Sequence, residues 1–365
     1  MKSQVTGSQT MKITEEDRMQ VVDFDLRSPQ AGTYLKFLES RGEGAFQTPQ
    51  WALAKVREGW RPWGLLLLVE GEIQAGLIAL ERPILVAPRP LGALWHVPRG
   101  PVASLESTQG RLAASRLLLA LEARARARGG LAIRISPDVR RECSSGDWLA
   151  PLGYVPAPGE PWQHTATFRV SLLANEQEML ARMKGLKRRA IRKAHVQGIR
   201  VDSSNSAGSF DLFYDMYRAT GTRNNFRVIR EGRMRSLWKC SKDEGWGGVF
   251  ISRTSAGEPL SAMIAIAPGR RCHYLFGASS PLCRKLHGNE LLHWEVMRWA
   301  QARGCAIYDL EGVPGRVSSD HPLYGNYLFK SGFGGKYVEL AGEYVRVLRP
   351  RLYELINHGI ARLRR

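Results

Sequence analysis

Between residues 309 and 330 the chain gathers side chains of the kinds that move protons and hold negative charge. Asp309 and Glu311 close a short apolar segment, Asp320 and His321 sit side by side in a polar loop with Tyr324 just after, and Lys330 precedes the turn Ser331-Gly332-Phe333-Gly334-Gly335. An imidazole titrating near neutral pH, or a carboxylate, can accept a proton, and an ammonium can stabilise a developing oxyanion. Taken alone, the same residues also read as ordinary loop polars and a solvated lysine. A second concentration is purely electrostatic. Residues 181–200 carry Arg182, Lys184, Lys187, Arg188, Arg189, Arg192, Lys193 and Arg200 with no acid among them, within a chain of 53 Lys and Arg against 34 Asp and Glu. An arginine-rich composition explains the total of +19 but not the clustering, and clustered charge attracts polyanions. The five cysteines are scattered, with no C-x-x-C pair and no metal-ligand spacing, so they read as reduced packing thiols and no metal is expected.

These groups need a scaffold, and its signals occur twice. Leu65–Val69, the turn Glu70-Gly71-Glu72 and Ile73–Leu80 read as a hairpin, as do Val249–Ser252, a turn at 255–258 and Leu260–Ala267. A strand follows each, Leu94–Val97 and Tyr274–Gly277. Next comes an amphipathic helix, with inward positions Ala114, Leu118, Leu121 and Ala125 in one and Leu292, Val296, Trp299 and Ala300 in the other. Both helices stop at Ala-Arg-Gly, ending in Gly129 and Gly304, and strands Leu131–Ile135 and Ala306–Leu310 follow. The same order with the same punctuation predicts a duplicated α/β (α+β) architecture. Its expected divisions are a flexible N-terminus over 1–18, domains over 19–170 and 171–345, and a basic C-terminal helix over 346–365 that packs back on the first domain. No run approaches the ~20 apolar residues that span a bilayer, and the N-terminus lacks a secretory pattern, so a cytoplasmic location is expected.

Hairpin, strand, helix, strand is the core order of the GNAT acyltransferase fold, which each half resembles. The helix-opening loop that cradles coenzyme A pyrophosphate is missing, since 284–290 reads RKLHGNE with a single glycine. Coenzyme A is therefore not expected, nor is any other cofactor. More specifically, FQTPQWALAKVREGW, HVPRGPV, LKRRAIRKAHVQGIRV, YLFGASS, LLHWEVMRWAQARGCAIYDLEGVPG, HPLYGNYLFKSGFGGKYVELAGEY and RPRLYELI, in this order, resemble the FemABX peptidyltransferases. The resemblance implies two tandem GNAT-like domains. It also implies transfer of an amino acid from aminoacyl-tRNA to an amine on the stem peptide of a peptidoglycan precursor, a UDP-MurNAc-pentapeptide or its lipid-linked form. The coiled-coil arm of some members is not expected, because no heptad stretch is present.

The same resemblance assigns roles. Lys330 matches the lysine thought to stabilise the developing negative charge; Asp320, His321 and Asp309 are candidate proton acceptors on their own chemistry and placement, not through the resemblance. Arg57, or else Lys55, and Arg230, or else Arg227, match the cations that grip the acceptor diphosphate, a task suited to guanidinium forks. Tyr274 and Phe276 match aromatics near the substrate, although plain packing explains them equally well, and Tyr324, in the loop before Lys330, is a further substrate-binding candidate by its placement. Read on its own, 181–200 fits a helix with Leu186, Ala190, Ile191 and Ala194 on a buried side. Lys187, Arg188, Arg189, Arg192 and Lys193 are then the candidates for tRNA phosphates. The inner membrane surface is an alternative partner for that basic face; DNA is not expected.

Overall fold

The computed structural model describes residues 18–42, 44–86, 89–143, 148–173, 175–315 and 318–363, with the side chains of 86, 89, 90 and 357–363 excepted. Apart from Arg18, the expected flexible N-terminus lies outside the described residues. Two seven-stranded sheets carry the fold. The first is built on β1 (Met19–Phe24), β2 (Arg61–Val69), β3 (Glu72–Val86), β4 (Arg89–Pro98) and β5 (Gly130–Ser136), with β6 (Val155–Pro156) at its far edge. The second repeats that order with β8 (Arg200–Ser204), β9 (Gly247–Arg253), β10 (Pro259–Ile266), β11 (Arg271–Ser279) and β12 (Ile307–Asp309), and ends on β13 (Lys336–Glu339).

In both sheets the sixth position is filled from the other half of the chain. Strand β7 (Ala166–Ser171) crosses into the second sheet between β12 and β13, and β14 (Tyr344–Val347) returns to the first between β5 and β6. The expected boundary at 170/171 therefore cuts a strand that lies inside the second sheet, and the C-terminal helix begins only after β14. That helix, α11 (Pro350–Leu363), packs Tyr353 against Ala132 and Val345 of the first sheet.

The duplicated punctuation is present as read. Glu70 and Gly71 take the left-handed conformation at the first hairpin, with φ 52° and 85°. The helices α3 (Thr108–Ala127) and α9 (Gly288–Ala302) end at Gly129 and Gly304, whose φ values of 73° and 80° an L side chain rarely adopts. Ser107 caps α3 by accepting from the Gly110 N–H at 3.0 Å. Ala114, Leu118, Leu121 and Ala125 are buried under the first sheet with Trp95 and Ile133. Leu292, Val296 and Ala300 are buried under the second with Tyr308 and Phe333, where Trp299 packs half-exposed.

Two helices, α4 (Glu176–Arg182) and α5 (Gly185–Val196), precede β8. Ala190, Ile191 and Ala194 of α5 face the second core as the pattern predicts, but the buried stripe starts a turn later than expected and leaves Leu186 72% exposed. Between β8 and β9 stand α6 (Ala207–Asn224) and α7 (Glu231–Asp243), which cover the opposite face through Phe210, Phe213 and Trp238. They replace any coiled-coil arm.

A buried ionic hub joins the halves. Asp138, just beyond β5, accepts from Arg169 of β7 and Arg271 of β11, and Arg169 also donates through Nε to Asp309 at 2.9 Å. Burial pushes the Asp138 carboxyl up, but Arg169, Arg271 and Arg99 overcome it and hold it well below the usual range. Removing one member of a buried pair strands the others, at a cost of about 3–5 kcal/mol. Asp138→Ala is expected to lower the unfolding free energy by about that much in urea titrations. Because the folded-state value is depressed, the contribution is complete above pH ~4 and fades as pH falls below it. A change within about 0.5 kcal/mol, as for an ordinary surface site, would contradict the hub.

Candidate active site

Parallel pairing differs between the two halves in a way that makes a site. In the first sheet β4 and β5 stay together from Ala93/Gly130 to Pro98/Ser136. In the second, β11 and β12 pair only from Arg271/Ile307 to His273/Asp309 and then part. Two local features open this wedge. A β-bulge at Leu275 re-aims β11, so that Cys272 and Tyr274 face one core while Phe276 and Ala278 face the other. On the opposite side Glu311 takes a left-handed backbone, φ 51°, held by its N–H donating to Asp309 Oδ1 at 2.9 Å. Such strain in a non-glycine residue concentrates at functional sites.

The turn leaves the carbonyls of Glu311 and Gly312 without a β11 partner, and Lys330 takes them. From the last turn of α10 (Tyr324–Ser331), its Nζ donates to Glu311 O at 3.1 Å and Gly312 O at 2.8 Å, and lies 5.3 Å from the Tyr274 ring centre. The side chain is buried, and the Tyr274 ring beside it packs edge-on against His293. Burial lowers its pKa to about 8, with Glu311 and Asp309 opposing the shift. Below that value the ammonium is charged, poorly hydrated and supplied with a third N–H. This is a ready electrostatic partner for an oxyanion formed in the wedge.

Around the wedge the polar groups are mutually engaged. His273 Nδ1 lies 2.6 Å from Glu311 Oε1, and Arg99 is 3.9 Å from Oε2. His273, Asp309 and Glu311 are close enough to suggest a metal trio. They do not fit one. Both Asp309 oxygens already accept, from Thr167 and Glu311 N–H on one side and Arg169 on the other, and His273 turns Nε2 against Gly44. Arg99, Arg169, Arg271 and Lys330 already supply the positive charge there.

A far larger cleft, about 870 Å³, opens beside it, walled mainly by the first domain and closed on one side by Arg227 and Arg233 of the second. Trp51, Trp60 and Trp162 give it aromatic walls, and Lys55, Arg82, Arg227 and Arg233 line it with cations. Lys55 lies 4.9 Å from the Trp51 ring centre and pairs with Glu58 at 2.9 Å, and Glu58 in turn holds Arg233 at 2.7 Å. Burial lowers the Lys55 pKa, with Glu58 opposing. Gln163 lines the cleft, and its neighbour His164 lies against Gly312, so cleft and wedge adjoin.

The predicted residues divide accordingly. Lys330 and Tyr274 meet in the wedge, and Lys55 and Arg227 line the cleft. Arg57 is exposed and Arg230 is the exposed N-cap of α7, and neither lines the cleft. In the tight 3-10 turn Lys55–Glu58, Lys55 and Glu58, three residues apart, share one side and pair with each other, while Lys55 lines the cleft and Arg57 points away into solvent. Phe276 belongs to the opposite core because of the bulge. Asp309 is saturated by its partners, and although burial pushes its carboxyl up, Arg169, His273 and Arg271 prevail and lower it, which unsuits it as a base.

Tyr324 opens α10, about 9 Å along the helix axis from Lys330, and Asp320 and His321 lie in the turn that precedes it. His321 Nδ1 accepts the Leu323 N–H at 3.0 Å, and Asp320 is exposed. In α5, Lys187 is not a free surface cation. It pairs with Glu290 at 2.8 Å and lies 3.6 Å from the Phe329 ring centre. Arg188 donates to Ala181 O at 3.1 Å and to Met183 O at 2.5 Å, while Arg189, Arg192 and Lys193 are exposed. Reading the sequence missed Arg99, Arg233, His273, Trp162 and His164; the only signal for the last two was an aromatic and a histidine in the proline-rich stretch PAPGEPWQH.

The FemAB family model matches residues 249–359. A lipid II:glycine glycyltransferase of Staphylococcus aureus (strain MRSA252) is 22% identical over 402 residues, covering 90% of this chain and 94% of the relative. The crystal structure of FemX superposes with a TM-score of 0.82 at 20% identity, covering 92% of this chain and 99% of that one. A tandem GNAT protein from the clavulanic acid biosynthesis pathway superposes at 0.54 and 10% identity, covering 90% and 98%. Family model, relatives and fold agree with the resemblance read from the sequence: the chain is similar to the FemAB family over residues 249–359 and shares the tandem GNAT-like fold of FemX over most of its length.

Proposed function

We propose that the protein is an aminoacyltransferase that moves an amino acid from aminoacyl-tRNA to an amine of the stem peptide of a peptidoglycan precursor. The observation that carries this reading is the Lys330 ammonium held by two carbonyls between parting strands, beside a cleft of tryptophans and cations. A tRNA ester is already activated, so the protein has to align amine and carbonyl and stabilise the oxyanion that forms. Lys330 serves the second need. The cleft serves the first: Lys55, Arg227 and Arg233 suit a diphosphate, and the Trp51, Trp60 and Trp162 faces suit a sugar or base.

The name of the staphylococcal relatives, lipid II:glycine glycyltransferase, supports a lipid-linked acceptor. No described helix is long and apolar enough to cross a membrane. In this reading a lipid-linked acceptor is met at the inner membrane face from the cytoplasmic side. Arg189, Arg192 and Lys193, exposed along α5, form the phosphate-binding face for tRNA, with Lys187 reassigned to packing.

Incubating the purified protein with a panel of labelled aminoacyl-tRNAs and a lipid- or UDP-linked pentapeptide is expected to place label on the peptide. Binding without turnover, or deacylation without transfer, would contradict the proposal. In the same assay Lys330→Ala is expected to cut kcat about 10²–10³-fold with little change in acceptor KM, since it acts on charge formed in the transition state. An unchanged rate would remove Lys330 from the chemistry. Replacing Arg189, Arg192 and Lys193 together by Glu is expected to weaken tRNA binding and flatten its salt dependence. Unaltered binding would reassign α5.

A further inference from the structure

Attack by an amine requires a proton acceptor, and none of the acids and histidines near Lys330 discussed above is free to serve. Asp309 is saturated, His273 is tied to Glu311, and His321 stands at the far end of α10. His293 is buried with Nδ1 2.8 Å from the Tyr308 hydroxyl. His96 is buried on the first sheet, with Nε2 3.4 Å from Ser136 Oγ.

His164 differs from all of these. Its ring lies flat on the Cα of Gly312, where an added Cβ would sit 2.4 Å from Cγ, Cδ2 and Cε1. Gly312 is the residue whose carbonyl holds Lys330 at 2.8 Å. The other face of His164 is open to solvent, and no described residue hydrogen-bonds its ring nitrogens. Its backbone is pinned on both sides: Gln163 N–H donates to Glu343 at 2.7 Å, and Thr165 O accepts from Leu340 at 2.8 Å. It therefore stands on a rigid segment where the cleft, lined by Gln163, meets the wedge.

We propose that His164 is the general base for the transfer, taking a proton from the acceptor amine as that amine approaches the carbonyl at Lys330. The inference rests on the aminoacyl-transfer reading above. The amine arrives as an ammonium and gives one proton to the His164 ring. The C–N bond then forms and the ester C–O bond breaks, the second proton going to the departing ribose oxygen. His164 returns its proton to water through its open face. Burial of the packed face lowers the His164 pKa, with Lys330 and Arg99 adding to the effect and Glu311 opposing it, so the ring is neutral and receptive at pH 7. Activity should then rise with pH through an acid limb below 6.5 and fall above about 8 as Lys330 discharges.

The test is the pH–rate profile of wild type, His164→Gln and His164→Ala in the transfer assay, with thermal melts as a control for folding. His164→Gln is expected to lose about 100-fold in kcat at unchanged acceptor KM and to lose the acid limb, while added imidazole restores part of the His164→Ala rate. A His164→Gln enzyme with wild-type rate and profile would overturn the role of His164 while leaving aminoacyl transfer standing. A wild-type chain that transfers nothing would overturn both.

Discussion

A lysine ammonium removed from water has to be satisfied by something, and here two backbone carbonyls do it because a sheet comes apart beside them. Parallel strands normally consume their carbonyls in the ladder. Where β11 and β12 separate after His273 and Asp309, the acceptors at 311 and 312 become available, and Lys330 bridges what the ladder left open. Neutral acceptors hold the charge without cancelling it. A carboxylate in direct contact would have raised the lysine pKa and blunted its pull on an oxyanion. The first sheet, whose parallel pair stays closed to Pro98 and Ser136, offers no equivalent place. One duplicated scaffold thus presents one wedge, and its other half contributes most of the walls of the tryptophan-lined cleft, with Arg227 and Arg233 added from the second half.

For wedge and cleft to act together the two halves must keep a fixed relation. Reciprocal exchange of β7 and β14 ties the sheets covalently at two points, and the Asp138–Arg169–Asp309 chain with Arg271 ties them electrostatically at the same junction. The acidic members hold arginine charge that would otherwise crowd Lys330, so the hub supports the site electrostatically as well as mechanically. Arg99 and Glu311, both with left-handed backbones, meet across this junction, which puts the strain of the site at the interface between halves.

Much of this was legible in the residues. The paired hairpins, the glycine stops at 129 and 304 and the inward stripe of α3 follow from local turn chemistry and periodicity and came out as read, as did the inner face of α5 apart from Leu186, which the first turn of the helix leaves exposed. What local pattern does not encode is which sheet edge a short strand joins. ATFRVS and YVRV are generic strand sequences, and their exchange depends on edges built elsewhere. Nor does period-two alternation survive a bulge, so Tyr274 and Phe276, nominally on one face, part company. Lys187 looked like its basic neighbours because its partner, Glu290, lies about a hundred residues away. Lys55 and Arg57 were separable only through the 3-10 turn that contains them.

The condition of the Lys330 side chain can be measured without any substrate. Heteronuclear NMR of the chain with isotopically labelled lysine, assigned by comparison with Lys330→Arg, would follow its ammonium across pH. The account requires a titration midpoint near 8, well below the ordinary lysine value of 10.5, in the folded protein. A Lys330 signal titrating near 10.5 would mean a hydrated surface amine, and the wedge would lose its electrostatic role.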